Sequence, residues 1–375
     1  MLLLDQDTLS GEGIDSIRKI AIISEKHSIN SHITQLLRSR GLENIELIHA
    51  NFFESDNLSF SAEETLGVII NIQDEIDLTK ITNRIHSIVP QNVWCCVVGD
   101  SDSISLSQKL LEQGILYFNS DTQLTQMVAR ILGGMHIPLV RHTIKISVLG
   151  CKGGIGASFI SANIAQTIAV EKKVPVLLAQ DPNGSQDLDL LFEKKLQNDI
   201  TEYSANLDLY RGIPSKLASD TLHKYNFIIY DQPIFNINKE NYLNVLRHSN
   251  TFVLIVERKI SSLRVAKQFL DECERVRANT GRLIRTFICI SDHKQETAKL
   301  MATADIERLL KCEIDGVISY NKQFTNKDTV LISNLDRQSQ KEVTTLTMKV
   351  IGILSRQTVK RNKNTGMSLL KKFFK

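Results

Sequence analysis

The chain has 375 residues, enough for two or three domains, with the composition of an ordinary globular protein. No apolar run approaches the ~20 residues of a membrane-spanning helix. The opening MLLLDQDTLSGEG has neither the basic region nor the long apolar region of a secretory signal. Six cysteines (Cys95, Cys96, Cys151, Cys273, Cys289 and Cys312) lie mostly in apolar runs, without zinc spacing and away from the nine histidines, which points to a reduced, cytoplasmic setting. The net charge of +3 is uneven: residues 356–375 hold seven basic residues and no acid, and subtracting that +7 leaves −4 on residues 1–355. The body therefore lacks the charge of a nucleic-acid binder, and the tail is the basic part.

Residues 1–16 are polar and expected to fray. Strand-like runs follow at 19–23, 45–50, 67–72, 93–98 and 115–118, alternating with helical patterns at 31–40, 78–88, 104–113 and 122–132. Five strands alternating with helices predict a small parallel doubly wound domain over residues 1–135. Its order and size resemble a response-regulator receiver domain. On that resemblance the acidic pair falls near Ser24 and Glu25, the phosphorylated aspartate near Asn71, and the conserved-role lysine near Asn119. An asparagine does not accept a phosphoryl group as a carboxylate does. The resemblance thus implies a docking or dimerisation module that works without phosphorylation. Asp74 and Asp100 are alternative acceptors under a shifted alignment, and a small α/β domain unrelated to receivers is the plain alternative.

Residues 133–143 (GGMHIPLVRHT) break both periods and carry a glycine pair and a proline, so the linker is placed there, with 136–143 as its bounds. The stretch 144–169, IKISVLGCKGGIGASFISANIAQTIA, is the one around which the rest is organised. An apolar strand at 144–149 runs into the glycine-rich turn Gly150-Cys151-Lys152-Gly153-Gly154-Ile155-Gly156-Ala157-Ser158, and a helical period follows. Glycines let backbone N–H groups converge on an anion, and the helix N-terminus adds partial positive charge. A glycine turn with no ligand is the alternative reading.

The spelling Lys152-Gly153-Gly154-x-Gly156 resembles the deviant phosphate loop of the MinD/ParA family of ATPases, KGGxGK[ST]. Cys151 stands where the usual loop has its first glycine, and Ala157 where a lysine precedes the hydroxyl residue. The resemblance implies an ATP- and Mg²⁺-binding domain over 144–355 with a mostly parallel sheet. Nucleotide would be cradled by Lys152, Gly153, Gly154, Ile155, Gly156, Ala157, Ser158 and Phe159, with Lys152 reaching across a homodimer. Ser158 would hold Mg²⁺. The strand at 174–180 ends at Asp181, the position that orients the attacking water in the family, with Ala179 in place of the preceding aspartate; an Asx-Pro turn is the alternative. In YNFIIYDQP (225–233) an apolar strand ends in Asp231, two residues before Pro233, and resembles the family's hhhhDxP motif, whose carboxylate holds Mg²⁺.

The order continues with a strand at 251–256, a helix at 264–277, a strand at 282–290, a helix at 305–311, a strand at 314–320 and a closing helix at 341–354. Ser291 or Asp292 stands where the family places a base-contacting asparagine. In the tail, 356–375, the segment GMSLLKKFFK puts Met367, Leu369, Leu370, Phe373 and Phe374 within one ~160° helical arc, opposite Lys371, Lys372 and Lys375. A basic amphipathic helix of this kind reads as a membrane-surface anchor, and it resembles the membrane-targeting helix of MinD. A partner groove or a disordered tail are the alternatives.

A receiver-like front without its acceptor, joined to a loop without its second lysine, resembles the TadZ/CpaE branch of the family. That resemblance implies a dimerising localisation factor for tight-adherence pilus secretion and assembly proteins. It would be cytoplasmic, peripheral on the inner membrane and polar, with weak or slow ATPase activity. A partitioning ATPase, a flagellar or division-site positioning ATPase, and a nucleotide-free scaffold with a relic loop are the other expectations.

Overall fold

The computed structural model describes residues 18–55, 58, 60, 61, 63–91, 93–132, 143–196, 199–292, 300–320 and 335–354. The chain divides into two compact units, residues 1–142 and 143–375.

In the first unit the elements run β1 (Lys19–Ile23), α1 (His27–Arg38), β2 (Ile45–Ile48), β3 (Thr65–Gln73), α2 (Leu78–His86), β4 (Trp94–Gly99), α3 (Ile104–Glu112), β5 (Leu116–Asn119) and α4 (Leu124–Leu132). The strands form one sheet in the order β2-β1-β3-β4-β5, every neighbouring pair parallel. This is the flavodoxin-like doubly wound order. Alternate strand residues face opposite ways. Ile20, Ile22, Ile69, Cys96 and Val98 meet Ile33 and Leu37 of α1 and Met127 of α4. Ala21, Ile23, Val68, Ile70 and Val97 meet Ile81 and Ile85 of α2 and Leu106 and Leu110 of α3. Strands buried on both faces read as continuous apolar runs, which is why they are legible in the sequence. Asp77 and Ser103 cap α2 and α3 with side-chain oxygens on free backbone N–H groups.

The second unit runs β6 (Ile144–Gly150), α5 (Ala157–Lys172), β7 (Val176–Gln180), α6 (Leu188–Leu191), β8 (Thr201–Ser204), β9 (Leu207–Arg211), α7 (Ser219–Leu222), β10 (Phe227–Pro233), α8 (Tyr242–His248), β11 (Thr251–Val256), α9 (Ile260–Thr280), β12 (Arg285–Ser291), α10 (Thr303–Leu310), β13 (Gly316–Ile318) and α11 (Arg337–Val350). Its eight-stranded sheet has the order β13-β12-β11-β6-β10-β7-β9-β8, parallel except for the β8–β9 edge hairpin. One face packs on α5 and α11 through Ile146, Val148, Ile229, Ile255, Ile160, Ile164 and Leu346. The other packs on α8, α9 and α10 through Leu149, Leu254, Ile290, Val245, Phe269 and Ile306. The edge hairpin and α8 have no counterpart among the predicted elements. The helices α9 and α11 start earlier than their periodicity suggests, at Ile260 and Arg337.

This topology sets the site. Strands β6 and β10 are neighbours in register from Ile144 opposite Phe227 to Gly150 opposite Pro233. The loop after β6, the end of β10 and the end of β7 therefore meet at one edge of the sheet, outside the carboxyl ends of parallel strands, where open α/β folds hold ligands. The predicted tail residues Met367, Leu369, Leu370, Phe373 and Phe374 and nearly all of the predicted linker lie outside the described residues. Among the described residues no helix is long and apolar enough to cross a membrane.

Candidate functional site

A cleft of about 350 Å³ opens over the glycine loop, a size typical of ligand pockets. Gly150, residues 152–159, Asn183, Gly184, Ser185, Asp187, Asp231, Gln232 and Phe235 contribute to its wall. All the predicted nucleotide-cradling positions, Lys152, Gly153, Gly154, Ile155, Gly156, Ala157, Ser158 and Phe159, line it. Gly154 and Gly156 have φ of +71° and +83°, left-handed values that turn the loop into α5, whose N-cap is Gly156. Free N–H groups of the first turn of α5 thus face the cleft.

Cys151 is buried in the apolar layer beneath the loop, among residues of β11 and α8. Burial pushes its thiol well above the usual range, so it is a neutral packing group and not a nucleophile. Ala157 lines the cleft without a charge. Lys152 is the one lysine or arginine among the described lining residues, and its Nζ is ion-paired with Glu257 at the end of β11. The Glu257 side chain is 4% exposed and the Lys152 side chain 40%.

Beneath the loop lies a net of hydroxyls, amide and carboxylates. Ser158 Oγ donates to Asp231 Oδ2 at 2.7 Å, and Ser161 Oγ donates to Asp231 Oδ1 at 3.1 Å. Gln180 Nε2 reaches Asp231 Oδ2 at 3.2 Å and Asp187 Oδ1 at 3.0 Å. Ser185 Oγ lies 2.8 Å from Ser158 Oγ and donates to Asp187 Oδ1 at 2.6 Å. Burial pushes the Asp231 carboxyl up from 3.8 to about 6, against the lowering effect of its bonds from Ser158, Gln180 and Ser161, and the Asp187 charge adds to the rise. The Oε1 of Gln180, in a fully buried side chain, has no hydrogen-bond partner.

These residues fit a small hard cation. Ser158 and Asp231 supply oxygen ligands, and the buried carboxylate and orphaned amide oxygen are groups whose burial a divalent ion would offset. Among the described residues there is no group of three or more His, Cys, Asp or Glu side chains placed to hold a metal, so most ligands of such an ion would be water or phosphate.

Asp181 is placed differently from the rest of the predicted set. It ends the run of β7, but both oxygens are engaged: Oδ1 accepts from Asn183 N at 2.8 Å and Asn183 Nδ2 at 3.0 Å, and Oδ2 accepts from the Tyr230 hydroxyl. It does not line the cleft. Tyr230 stacks edge-on against His248, 5.7 Å between ring centres. Ser185, Asp187 and Gln180 belong to the site and were not singled out from the sequence. The polar run Ser185-Gln186-Asp187, just past the Asp181–Gly184 turn that follows a buried strand, was the available signal for Ser185 and Asp187. On the far side, Asp292 is held by Arg258 through Nε at 2.7 Å and Nη2 at 3.1 Å.

In the first unit, Ser24, Glu25, Asn71 and Asn119 gather at the carboxyl edge of the sheet. Asn71 Nδ2 donates to Ser24 Oγ at 2.9 Å, and Glu25 accepts from Gln73 Nε2 at 3.0 Å and Asn51 Nδ2 at 3.2 Å. Asn119 Nδ2 donates to Asp102 at 2.8 Å. Asp100 is paired with Lys26 at 2.7 Å and accepts from Ser120 at 2.8 Å, and the Lys26 bond holds its carboxyl below the ordinary range. Asp74 takes part in none of these bonds.

No protein-family model and no curated protein sequence matches the chain. Among solved structures, the chain is similar to a ParA family ATPase from Chlorobium tepidum TLS, with 18% identity over 55% of this chain and 98% of that one, TM-score 0.43. It is similar to the MinD cell division protein of Aquifex aeolicus, with 17% identity over 56% and 98%, TM-score 0.45. It is also similar to the septum site-determining protein MinD complexed with Mg-ADP from Pyrococcus horikoshii OT3, with 14% identity over 57% and 100%, TM-score 0.45. The functional reading rests on the site's own geometry.

Proposed function

We propose that residues 143–375 form a MinD/ParA-type nucleotide switch that binds MgATP and dimerises on it. The observation that carries the reading is the 2.7 Å bond from Ser158, in the first turn of α5, to the buried Asp231 at the end of β10, directly under a glycine loop with two left-handed residues. Loop N–H groups and the α5 N-terminus would take the phosphates. Ser158 and Asp231 would hold Mg²⁺, which supplies charge neutralisation on the phosphates when bound. Lys152 would leave Glu257 to reach the nucleotide of the partner protomer. Ala157 places no second cation on the phosphates, so turnover is slow. Equilibrium titration with MgATP tests this: wild type binds, and Ser158→Ala loses about tenfold or more in Mg²⁺-dependent affinity, since a charge-assisted contact is worth about 1.5–3 kcal/mol. Equal affinity in both proteins contradicts it.

For the whole chain we propose a localisation factor of the TadZ/CpaE kind. The first unit would be a phosphorylation-independent receiver-like docking module, and the basic amphipathic tail would bind the inner membrane surface. The flavodoxin-like strand order and the asparagine at position 71 support the first part. A tagged protein is expected at a fixed polar focus beside pilus secretion and assembly proteins. Nucleoid-wide waves would instead favour a partitioning ATPase, and a flagellar or division-site focus a positioning ATPase of another machine. A second reading, a scaffold with a relic loop, is favoured by one feature: Lys152, the one lysine or arginine among the described lining residues, is held by Glu257. It predicts no response to ATP.

A further inference from the structure

We propose that Asp187, and not Asp181, is the carboxylate that holds the attacking water against the terminal phosphate; this rests on the nucleotide reading above. Asp181 is spent on structure. Its two oxygens take three donors, the Tyr230 hydroxyl among them, and it does not line the cleft. Asp187 lines the cleft. The turn closed by Gly184 N on Asp181 O, at 2.9 Å, carries the chain back over the loop and delivers it there.

The anchoring of Asp187 is one-sided. Its Oδ1 accepts from Ser185 Oγ at 2.6 Å and Gln180 Nε2 at 3.0 Å, while no described residue hydrogen-bonds its Oδ2. One oxygen orients the group and the other is available to a water. Gln180 Nε2 donates to both Asp187 and Asp231, so Asp187 is fixed relative to one proposed cation ligand, and Ser185 Oγ lies 2.8 Å from the other, Ser158. Gln180 supplies an independent sign of a missing partner. Its side chain is fully buried within this net, yet Oε1 has no donor.

The step itself is simple hydrolysis. The water oxygen forms the new bond to the terminal phosphorus, and the bond from that phosphorus to the bridging oxygen breaks. ADP keeps the electron pair, and the water proton passes to the phosphate product. Asp187 accepts the hydrogen bond that aligns the water, a role acids and amides fill in other phosphoryl-transfer enzymes.

The test uses the full chain with MgATP and with a fluorescent non-hydrolysable analogue, in wild type, Asp187→Asn, Asp187→Glu and Asp181→Asn. Asp187→Asn is expected to keep analogue affinity within about threefold and to slow single-turnover hydrolysis by about tenfold or more. It should also lengthen the lifetime of the ATP-bound dimer after dilution by the same factor. Asp187→Glu recovers part of the rate, and Asp181→Asn changes it less than about threefold. Should Asp187→Asn fail to fold, Ser185→Ala, which releases Oδ1, carries the same expectation. A slow Asp181→Asn beside an unaffected Asp187→Asn overturns the proposal, as does a wild type that binds the analogue and never turns over ATP. A wild type that does not bind the analogue overturns the nucleotide reading, and this inference with it.

Discussion

Asp231 is a carboxylate sealed under a loop, with three hydrogen-bond donors on its oxygens. Burial holds its proton to about pH 6 in the fold against 3.8 when exposed. A group whose folded value is raised stabilises the fold fully below the unfolded value, and that contribution is lost as pH rises through the folded one. The nucleotide-free protein should therefore lose up to about 3 kcal/mol between about pH 4 and 6. Asp231→Asn should flatten that slope in chemical denaturation while removing Mg²⁺-dependent nucleotide binding; an unchanged slope would mean another group carries it. The Lys152–Glu257 pair sets a second expectation. Lys152→Ala removes one ion pair from a 4%-exposed carboxylate that Lys259 also approaches, at 4.0 Å. Because Lys152 is itself 40% exposed, the cost is about 1 kcal/mol in a denaturation midpoint, well short of a fully buried pair. Glu257→Gln, which releases the lysine, should dimerise at lower ATP concentration, read by light scattering.

The loop and the first turn of α5 act as one device, and two residues set its strength. Gly156 sits at φ +83°, so Gly156→Ala costs about 1–2 kcal/mol in the thermal melt and disturbs the cradle with it. Ala157→Lys restores the cation missing from that turn. It should raise MgATP affinity and turnover by about tenfold or more in a phosphate-release assay, and no gain would mean the loop geometry excludes an amine there. The device was legible in the sequence because each part announces itself locally: β6 and β10 are apolar runs that end at Gly150 and Pro233, β11 is an apolar run, and Gly154 and Gly156 supply the left-handed turns that other residues rarely adopt. What was not legible depends on partners distant in the chain. The hairpin β8–β9 is short and interleaved with charge, and only pairing with β7 buries Leu207 and Leu209. Asp181 follows a buried strand as an acid at a phosphate edge should, yet its direction is set by the Tyr230 hydroxyl 49 residues away. Asp187 enters the cleft only because the turn at 181–184 reverses the chain.

The two units should respond to ligand separately. Calorimetry of the full chain is expected to show MgATP raising the transition of residues 143–375, since a ligand stabilises only the fold that binds it, and leaving that of residues 1–142 unmoved. A shift of both would mean the nucleotide state is communicated to the first unit. At that unit's own carboxyl edge, Asn71 donates to Ser24 and Lys26 pairs with Asp100, and the proposed receiver-like reading has an amide, not a carboxylate, at position 71. Incubation with a small phosphodonor is expected to leave it unlabelled.

Of all these measurements, the most direct is the oligomeric state of the full chain at increasing MgATP, with bound nucleotide quantified in the same samples, for wild type, Lys152→Ala and Ser158→Ala. A nucleotide-clamped dimer requires wild type to bind ATP and dimerise on it. Lys152→Ala should then lose more dimer than ligand, and Ser158→Ala should lose the Mg²⁺-dependent part of binding. A protein that stays in one oligomeric state with no nucleotide bound would contradict it, and would leave the glycine loop as a relic on a scaffold.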